Sequence, residues 1–252
     1  ILACFLLVCV NILVFALYDI HNYRMICPSH RMFLNREVID LLKLCFPLFL
    51  ISLLYAYLIN APKYSIDLFG TPENLTVYSI IVLPASMIWV VFIMVLNPIL
   101  PRLTAMYFMG KRRQFIRQIS LLICAIIAFS IIYLAFMYLI GIRIFEIVYK
   151  VPLVPFSAEF MIAGVGSGIL CIATVYSNLL VLIRETKILL ISYMITAAVS
   201  AGTSIYLVVE NGLFGAAVSY LVTTVLLMLL LAAGFIYSDL YKNDNSKSNE
   251  QI

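Results

Sequence analysis

The chain has 252 residues, of which 65% are hydrophobic and only 11% charged, with a formal net charge of +4. A soluble domain carries about 45–50% apolar and about 25% charged residues, and a fold of this size lacks the polar surface to cover so much hydrocarbon. Secreted disulfide scaffolds, nucleic-acid binders and soluble metabolic enzymes are thereby excluded, and a polytopic all-α membrane bundle is expected.

In chain order the apolar runs are Ile1–Tyr18, Leu44–Ala61, Val77–Leu100, Ile119–Ile142, Phe160–Ile183, Ile188–Val209 and Leu213–Tyr237. Each is close to the roughly 18–25 residues that cross a bilayer's hydrocarbon as a helix. Helices are expected because a span must satisfy its own backbone in lipid, and nothing alternates with the period of two that barrel strands require. Seven spans follow. The first residue is Ile and already lies in an apolar run, with neither an initiating Met nor a basic flank. The reading is the C-terminal part of a longer protein rather than a signal peptide.

Seven spans place alternate loops on opposite sides of the membrane. Thirteen of the sixteen Lys and Arg fall in one set of loops: the Asp19–Lys43 segment, the Pro101–Arg117 segment, Arg184 with Lys187, and the tail with Lys242 and Lys247. Lys63, Arg143 and Lys150 make up the other set. By the positive-inside rule the first set, the C-terminus included, is cytoplasmic. The basic cluster of Pro101–Arg117 reads first as a plain positive-inside anchor. The alternative rests the apolar Leu103, Met106, Tyr107 and Phe115 on the headgroup layer, with the cluster against anionic lipid. The tail Lys242–Ile252 is polar and is read as disordered.

Small residues mark close helix contacts in the spans: Gly164 with Gly168, Ala198 with Gly202, and Gly212 with Ala216, each four apart. Pro47, Pro84 and Pro98 lie within spans and are expected to bend them. Cys4, Cys9, Cys45, Cys124 and Cys171 sit in apolar runs, Cys27 and the two histidines, His21 and His30, in one loop. No ligand spacing for zinc or redox chemistry results, so no metal or cofactor is expected. The acidic residues lie in loops or at span ends, and neither HExxH nor GxSxG occurs. Catalysis is not expected, nor is a proton relay through these spans. What remains is uncharged polar side chains, among them Ser52, Tyr55, Asn60, Thr174, Ser177, Asn178, Ser192, Tyr193, Thr196, Ser200, Thr203, Ser204, Thr223 and Thr224. They would line a hydrated cavity or bond one helix to another.

Asn60–Phe115 resembles the opening of the second lobe of bacterial polysaccharide flippases, which handle lipid-linked oligosaccharides of the O-antigen and teichoic-acid type. There a helix ends in Asn-x-Pro-Arg-Tyr, followed by a short external loop with Gly. A Pro-containing apolar helix then runs into Pro-x-Leu and a basic, Gly-containing cytoplasmic turn. Asn60, Pro62, Tyr64, Gly70, Pro84, Pro98, Pro101, Leu103 and Gly110 match that pattern, with Lys63 in place of the Arg. Glu210–Tyr220 (ENGLFGAAVSY) is similar to the family's penultimate loop and the start of its last helix.

The resemblance implies the multidrug/oligosaccharidyl-lipid/polysaccharide exporter superfamily, whose two lobes of about six helices flank a central cavity. Residues 1–18 would then be the last helix of the first lobe, 19–43 the cytoplasmic interlobe linker, 44–237 the second lobe and 238–252 a cytoplasmic tail. The implied activity is alternating-access transfer of undecaprenyl-diphosphate-type lipid-linked oligosaccharide across the bacterial cytoplasmic membrane, with the missing N-terminal lobe as partner. The resemblance places a basic residue at Lys63, so Lys63, Asn60 and Tyr64 are the external substrate-binding candidates, with Arg102 and Arg184 in a loading role on the cytoplasmic side. The alternative for Lys63 is an anchor that snorkels to the headgroups, paired with Asp67 one turn on. A cation-coupled multidrug exporter of the same superfamily and a membrane glycosyl polymerase or ligase are the competing readings. The first would carry a carboxylate within the membrane; the second would need a large external loop.

Overall fold

The computed structural model describes residues 36–249 and, before them, Val10, Leu13 and Leu17. The expected first span, Ile1–Tyr18, and most of the expected linker lie outside the described residues. By its contacts the chain divides into two units, Ile1–Cys45 and Phe46–Ile252.

All described elements are helical. They are α1 (Arg36–Phe69), α2 (Pro72–Phe108), α3 (Arg112–Phe136), α4 (Ile142–Tyr149), α5 (Ser157–Leu182) and α6 (Thr186–Asn249). A π-turn, Met137–Gly141, joins α3 to α4, and a 3₁₀ turn, Val154–Phe156, leads into α5. Five helical segments are long and apolar enough to cross a membrane: Cys45–Phe69, Pro72–Phe108, Arg112–Tyr149, Val154–Leu182 and Thr186–Ser238. The protein therefore has a multi-pass membrane architecture.

The fifth segment has 53 residues, which would make a straight helix of about 80 Å, well over twice a bilayer's hydrocarbon thickness. It does not run straight. Gly212 leaves the helical region, at φ 57° and ψ −127°, a conformation open to glycine because it lacks Cβ. The chain then folds back. Thr223 Oγ1 donates to Ser200 Oγ at 3.0 Å and the Ser204 and Ser219 hydroxyls lie 3.3 Å apart. A Cβ on Gly215 would strike the Leu207 carbonyl, and one on Gly234 would meet Ile188. Residue numbers that fall on one side of Gly212 as they rise on the other describe two antiparallel arms. Residues 186–211 are long enough for one pass, and 213–238 for another.

Several boundaries differ from the sequence reading. The helix begins at Arg36, so the last eight residues of the expected linker are helical rather than loop. It also runs through Pro62 to Phe69 instead of stopping at Ala61. Pro62 leaves the Leu58 carbonyl without its helical donor and costs about 3 kcal/mol in a helix interior. The offsetting term is burial on both sides, with Leu58 and Ala61 before the proline and Ser65 and Ile66 after it all 4% exposed or less. The tail is helical to Asn249 rather than irregular; no Gly or Pro interrupts residues 235–249, so helix propagation meets no breaker. α2 has a well-formed start. Thr71 Oγ1 accepts from the Asn74 amide, Pro72 opens the first turn, and Glu73 sits beside the positive end of the helix.

α5 is the hub, with half of its membrane window buried against 22% for Cys45–Phe69 and for Arg112–Tyr149. Its glycines set the contacts. A Cβ on Gly164 would strike Leu134 and one on Gly168 would meet Ser130, both on α3, while Gly166 faces the Tyr220 ring on α6. Close backbone approach of this kind supplies dispersion contacts that lipid does not. The other two small-residue pairs behave differently from expectation. Gly202 has nothing within 4 Å of where its Cβ would be, and Ala198 is exposed, so that pair makes no helix contact. Gly212 is the hairpin turn itself, and the close approach belongs to Gly215.

Candidate functional site

The fold gathers its turns at two ends. Ile66 at the end of α1, Tyr78 and Val82 at the start of α2, and Val208, Leu213 and Ala216 around the hairpin turn form one apolar cluster, with Phe156 against it. At the opposite end Leu103 of α2, Phe115 of α3 and Leu179 of α5 pack together, with Tyr107 and Phe235 beside them. The Lys63, Arg143 and Lys150 positions belong to the first end. Arg102, Lys111, Arg113, Arg117, Arg184 and Lys187 belong to the second.

The structure brings Lys63, Asn60 and Tyr64 together on α1. Ile51, Leu58, Ala61 and Ile66 form its packed face, and Ser52, Leu53, Ala56, Tyr64 and Asp67 its exposed one. Asn60 and Lys63 are half-buried at the edge between the two. Asn60 Nδ2 donates to the Ala56 carbonyl at 2.9 Å. Tyr64 is 52% exposed, and its ring stacks on Tyr57 with centroids 6.2 Å apart and planes 23° apart. Because α1 continues past Pro62, Lys63 lies within a helix and not at its end, and it makes no ion pair with Asp67.

Arg102 and Arg184 sit at the other end, apart from that trio. Arg102 is exposed near the end of α2. Arg184 lies in the turn between α5 and α6 with φ at 63°. The Glu185 amide donates to the Leu180 carbonyl at 2.9 Å and the Arg184 amide to Val181 at 3.0 Å, which closes the helix as a Schellman motif. The turn after α2 repeats this, with Lys111 N donating to Met106 O at 3.1 Å and Gly110 at φ 69°. Glycine fits that left-handed position; arginine carries a Cβ strain there.

The four apolar residues that the headgroup-layer alternative needs outside the bundle are core. Leu103 and Phe115 are 1% and 3% exposed, and Met106 and Tyr107 pack against the same cluster. The residues projecting at that turn are Phe108 and Met109.

Between the two ends runs an uncharged polar and aromatic seam. Tyr55 of α1 lies 6.3 Å from Trp89 of α2 and 6.4 Å from Tyr193 of α6, centroid to centroid. Ser167 and Tyr220 share a hydrogen bond at 3.2 Å, linking α5 to α6. Tyr133 donates to the Pro84 carbonyl at 2.7 Å, tying α3 to α2 at its proline. Among the described residues, the hydroxyls of Tyr78 and Ser130 and the Trp89 indole N–H are buried without a partner. A small cleft bounded by Tyr55, Leu58, Leu170, Tyr220, Thr223 and Thr224 has room for about one water molecule.

Of the polar residues singled out from sequence, Ser52, Asn60, Thr174, Asn178, Ser192, Thr196 and Thr203 donate to the carbonyl four residues back in their own helix. Ser200, Ser204 and Thr223 join helix arms. Sequence reasoning missed Trp89, Ser167, Ser219 and Tyr220. The pairs Ser200/Ser204 and Ser219/Thr223 are four apart and symmetric about the Asn211–Gly212 step, and that symmetry was the available signal. Compared with known proteins, the chain matches no family model, no curated protein and no solved structure.

Proposed function

We propose that this chain is the second lobe, with the preceding linker and helix, of a flippase that moves lipid-diphosphate-linked oligosaccharide across the bacterial cytoplasmic membrane for surface polysaccharide synthesis. The observation that carries the reading is the separation of cations to the two ends of the bundle, Arg102 and Arg184 at one and Lys63 at the other, with an uncharged polar seam between them. A diphosphate headgroup needs a cation where it loads and another where it is delivered. The sugar hydroxyls it carries need neutral hydrogen-bonding groups in the membrane. Fixed charge midway would hold the headgroup and stop turnover. In this reading the open face of α1, with Asn60, Lys63 and Tyr64 along it, faces the central cavity, and the basic end is cytoplasmic.

The test is reconstitution of the full-length protein in vesicles containing an undecaprenyl-diphosphate-linked oligosaccharide on the inner leaflet. Sugar appearing at an impermeant lectin outside, and failing to appear when Arg184 is replaced by Glu, supports the reading. Transfer that proceeds equally with Lys63 and Arg184 both reversed to Glu would overturn it.

A further inference from the structure

A second basic feature stands apart from the seam and from the residues assigned to the transported headgroup. Arg113, Ile116, Arg117, Ser120, Leu121 and Cys124 line one shallow cleft along α3. Their spacing of three and four puts them on a single face of the helix, and all six are exposed. Arg113 and Arg117 are one turn apart, like charges whose mutual repulsion destabilises a helix unless an anion lies between them. Among the described residues, neither forms an ion pair and no carboxylate lines the cleft. Ser120, one turn further on, makes no hydrogen bond among the described residues, whereas Ser52, Ser79 and Thr104 return their hydroxyls to a carbonyl four residues back. Unlike the buried Ser130, it is exposed and open to a ligand.

Below these polar groups the cleft is apolar. From Arg113 to Cys124 the helix rises about 16 Å, close to the depth of hydrocarbon in one leaflet. The opposite face of the same helix, with Phe115, Ile119, Leu122 and Ile126, is in the core, so the cleft opens to the surroundings and not to the bundle interior.

We infer that this face of α3 is a binding site for one anionic phospholipid of the adjacent leaflet. Its phosphodiester lies between the Arg113 and Arg117 guanidiniums and accepts from the Ser120 hydroxyl, and an acyl chain follows Ile116, Leu121 and Cys124. Guanidinium forks suit a phosphate better than ammonium groups would. The apolar continuation selects a lipid over a soluble phosphate. The inference does not depend on the transported substrate, since none of these residues belongs to the Lys63 group or to the Arg102 and Arg184 pair.

The experiment is native mass spectrometry of the detergent-purified protein offered phosphatidylglycerol and phosphatidylcholine at equal concentration. The parent is expected to retain one phosphatidylglycerol in preference to phosphatidylcholine. R113Q/R117Q should weaken that retention about twenty-fivefold, at about a fivefold loss per basic residue. Ile116→Glu, which leaves both arginines but places a carboxylate between them, should abolish it. S120A should weaken it by a few-fold, and R113K/R117K should retain part of it. R143Q/K150Q, which removes two cations from the other end, should leave it unchanged. Equal retention of phosphatidylglycerol by the parent and R113Q/R117Q would overturn the site. So would an equal loss in R143Q/K150Q, because attraction would then follow net charge and not this cleft.

Discussion

The Thr223 hydroxyl donates to the Ser200 hydroxyl at 3.0 Å across the two arms of α6, and both residues are at most 3% exposed. One turn nearer the hairpin, Ser204 and Ser219 repeat the contact at 3.3 Å. Lipid offers such groups no partner, so bonding across the arms fixes their register while the apolar residues around them leave it free to slide. Interhelical bonds in membranes average about 0.6 kcal/mol and reach about 1–2 kcal/mol. Thr223→Val is therefore expected to lower unfolding stability by about 1 kcal/mol. A double-mutant cycle with Ser200→Ala, measured by steric trapping in bicelles, should give a coupling of the same order. A coupling near zero would mean that the hydroxyls find equivalent partners when separated.

Gly215 has a stricter requirement. Its missing Cβ would overlap the Leu207 carbonyl, and carbonyls in a helix cannot rotate away. Gly215→Ala should cost several kcal/mol, in the range kept for overpacked backbones, and reduce the folded yield in membranes. Gly202→Ala is the matched control, since nothing lies within 4 Å of the added methyl, and glycine-to-alanine within a helix gains about 1 kcal/mol. Opposite signs at the two positions are the expected result in a thermal-shift comparison.

Topology can be tested at the turns. Thr71 and Met109 are exposed at opposite ends of α2. With the native cysteines replaced, Thr71→Cys is expected to react with an impermeant maleimide in intact cells. Met109→Cys should react only after permeabilisation. The reverse pattern would place the basic end outside and contradict the charge asymmetry.

Lys63 allows an ordered series in the full-length protein. Transport should be kept by Lys63→Arg, reduced by Lys63→Gln and abolished by Lys63→Glu, at equal membrane abundance. Lys63 is half-buried beside Asn60 and Tyr64, and it forms no ion pair with Asp67 that would account for the charge. If Lys63→Glu transports lipid-linked sugar at the parental rate, the ammonium serves only as an anchor.

The apolar runs made the helices legible, because a window of 20 uncharged residues in lipid has one backbone solution. The hairpin was legible as two apolar runs, Ile188–Val209 and Leu213–Tyr237, but Gly212 reads from sequence as a packing residue and the mirrored Ser and Thr on either side go unread. What sequence could not give was which side of a helix finds a partner. Phe115 and Leu103 near a basic turn fit a headgroup-facing reading as well as a core one, and only the convergence of α2, α3 and α5 decides for the core. Pro62 misled for a different reason. A local penalty of about 3 kcal/mol marks a helix end unless tertiary burial outweighs it, and burial at Ile66 depends on Tyr78 and on the distant hairpin turn. The seam residues Trp89 and Tyr220 were invisible because a lone aromatic in an apolar run carries no pattern.

Arg184 separates stability from function. Its φ of 63° lies in the left-handed region, where a residue with a Cβ is strained by about 1–2 kcal/mol and glycine is not. The same position after α2 is held by Gly110, so the turn geometry itself asks for glycine. Arg184→Gly is therefore expected to raise unfolding stability by about 1 kcal/mol through relief of that strain, less the larger entropy that glycine gives the unfolded chain. A stabilising substitution that leaves transport untouched would show that the guanidinium has no task. If Arg184 loads an anionic headgroup, Arg184→Gly should be more stable and slower, and Arg184→Lys should keep the strain and much of the rate. Thermal stability and lipid-linked sugar transfer measured on the same three preparations give the answer. Rate and stability falling together in Arg184→Gly would place the side chain in the structure of the turn and remove it from the transport path.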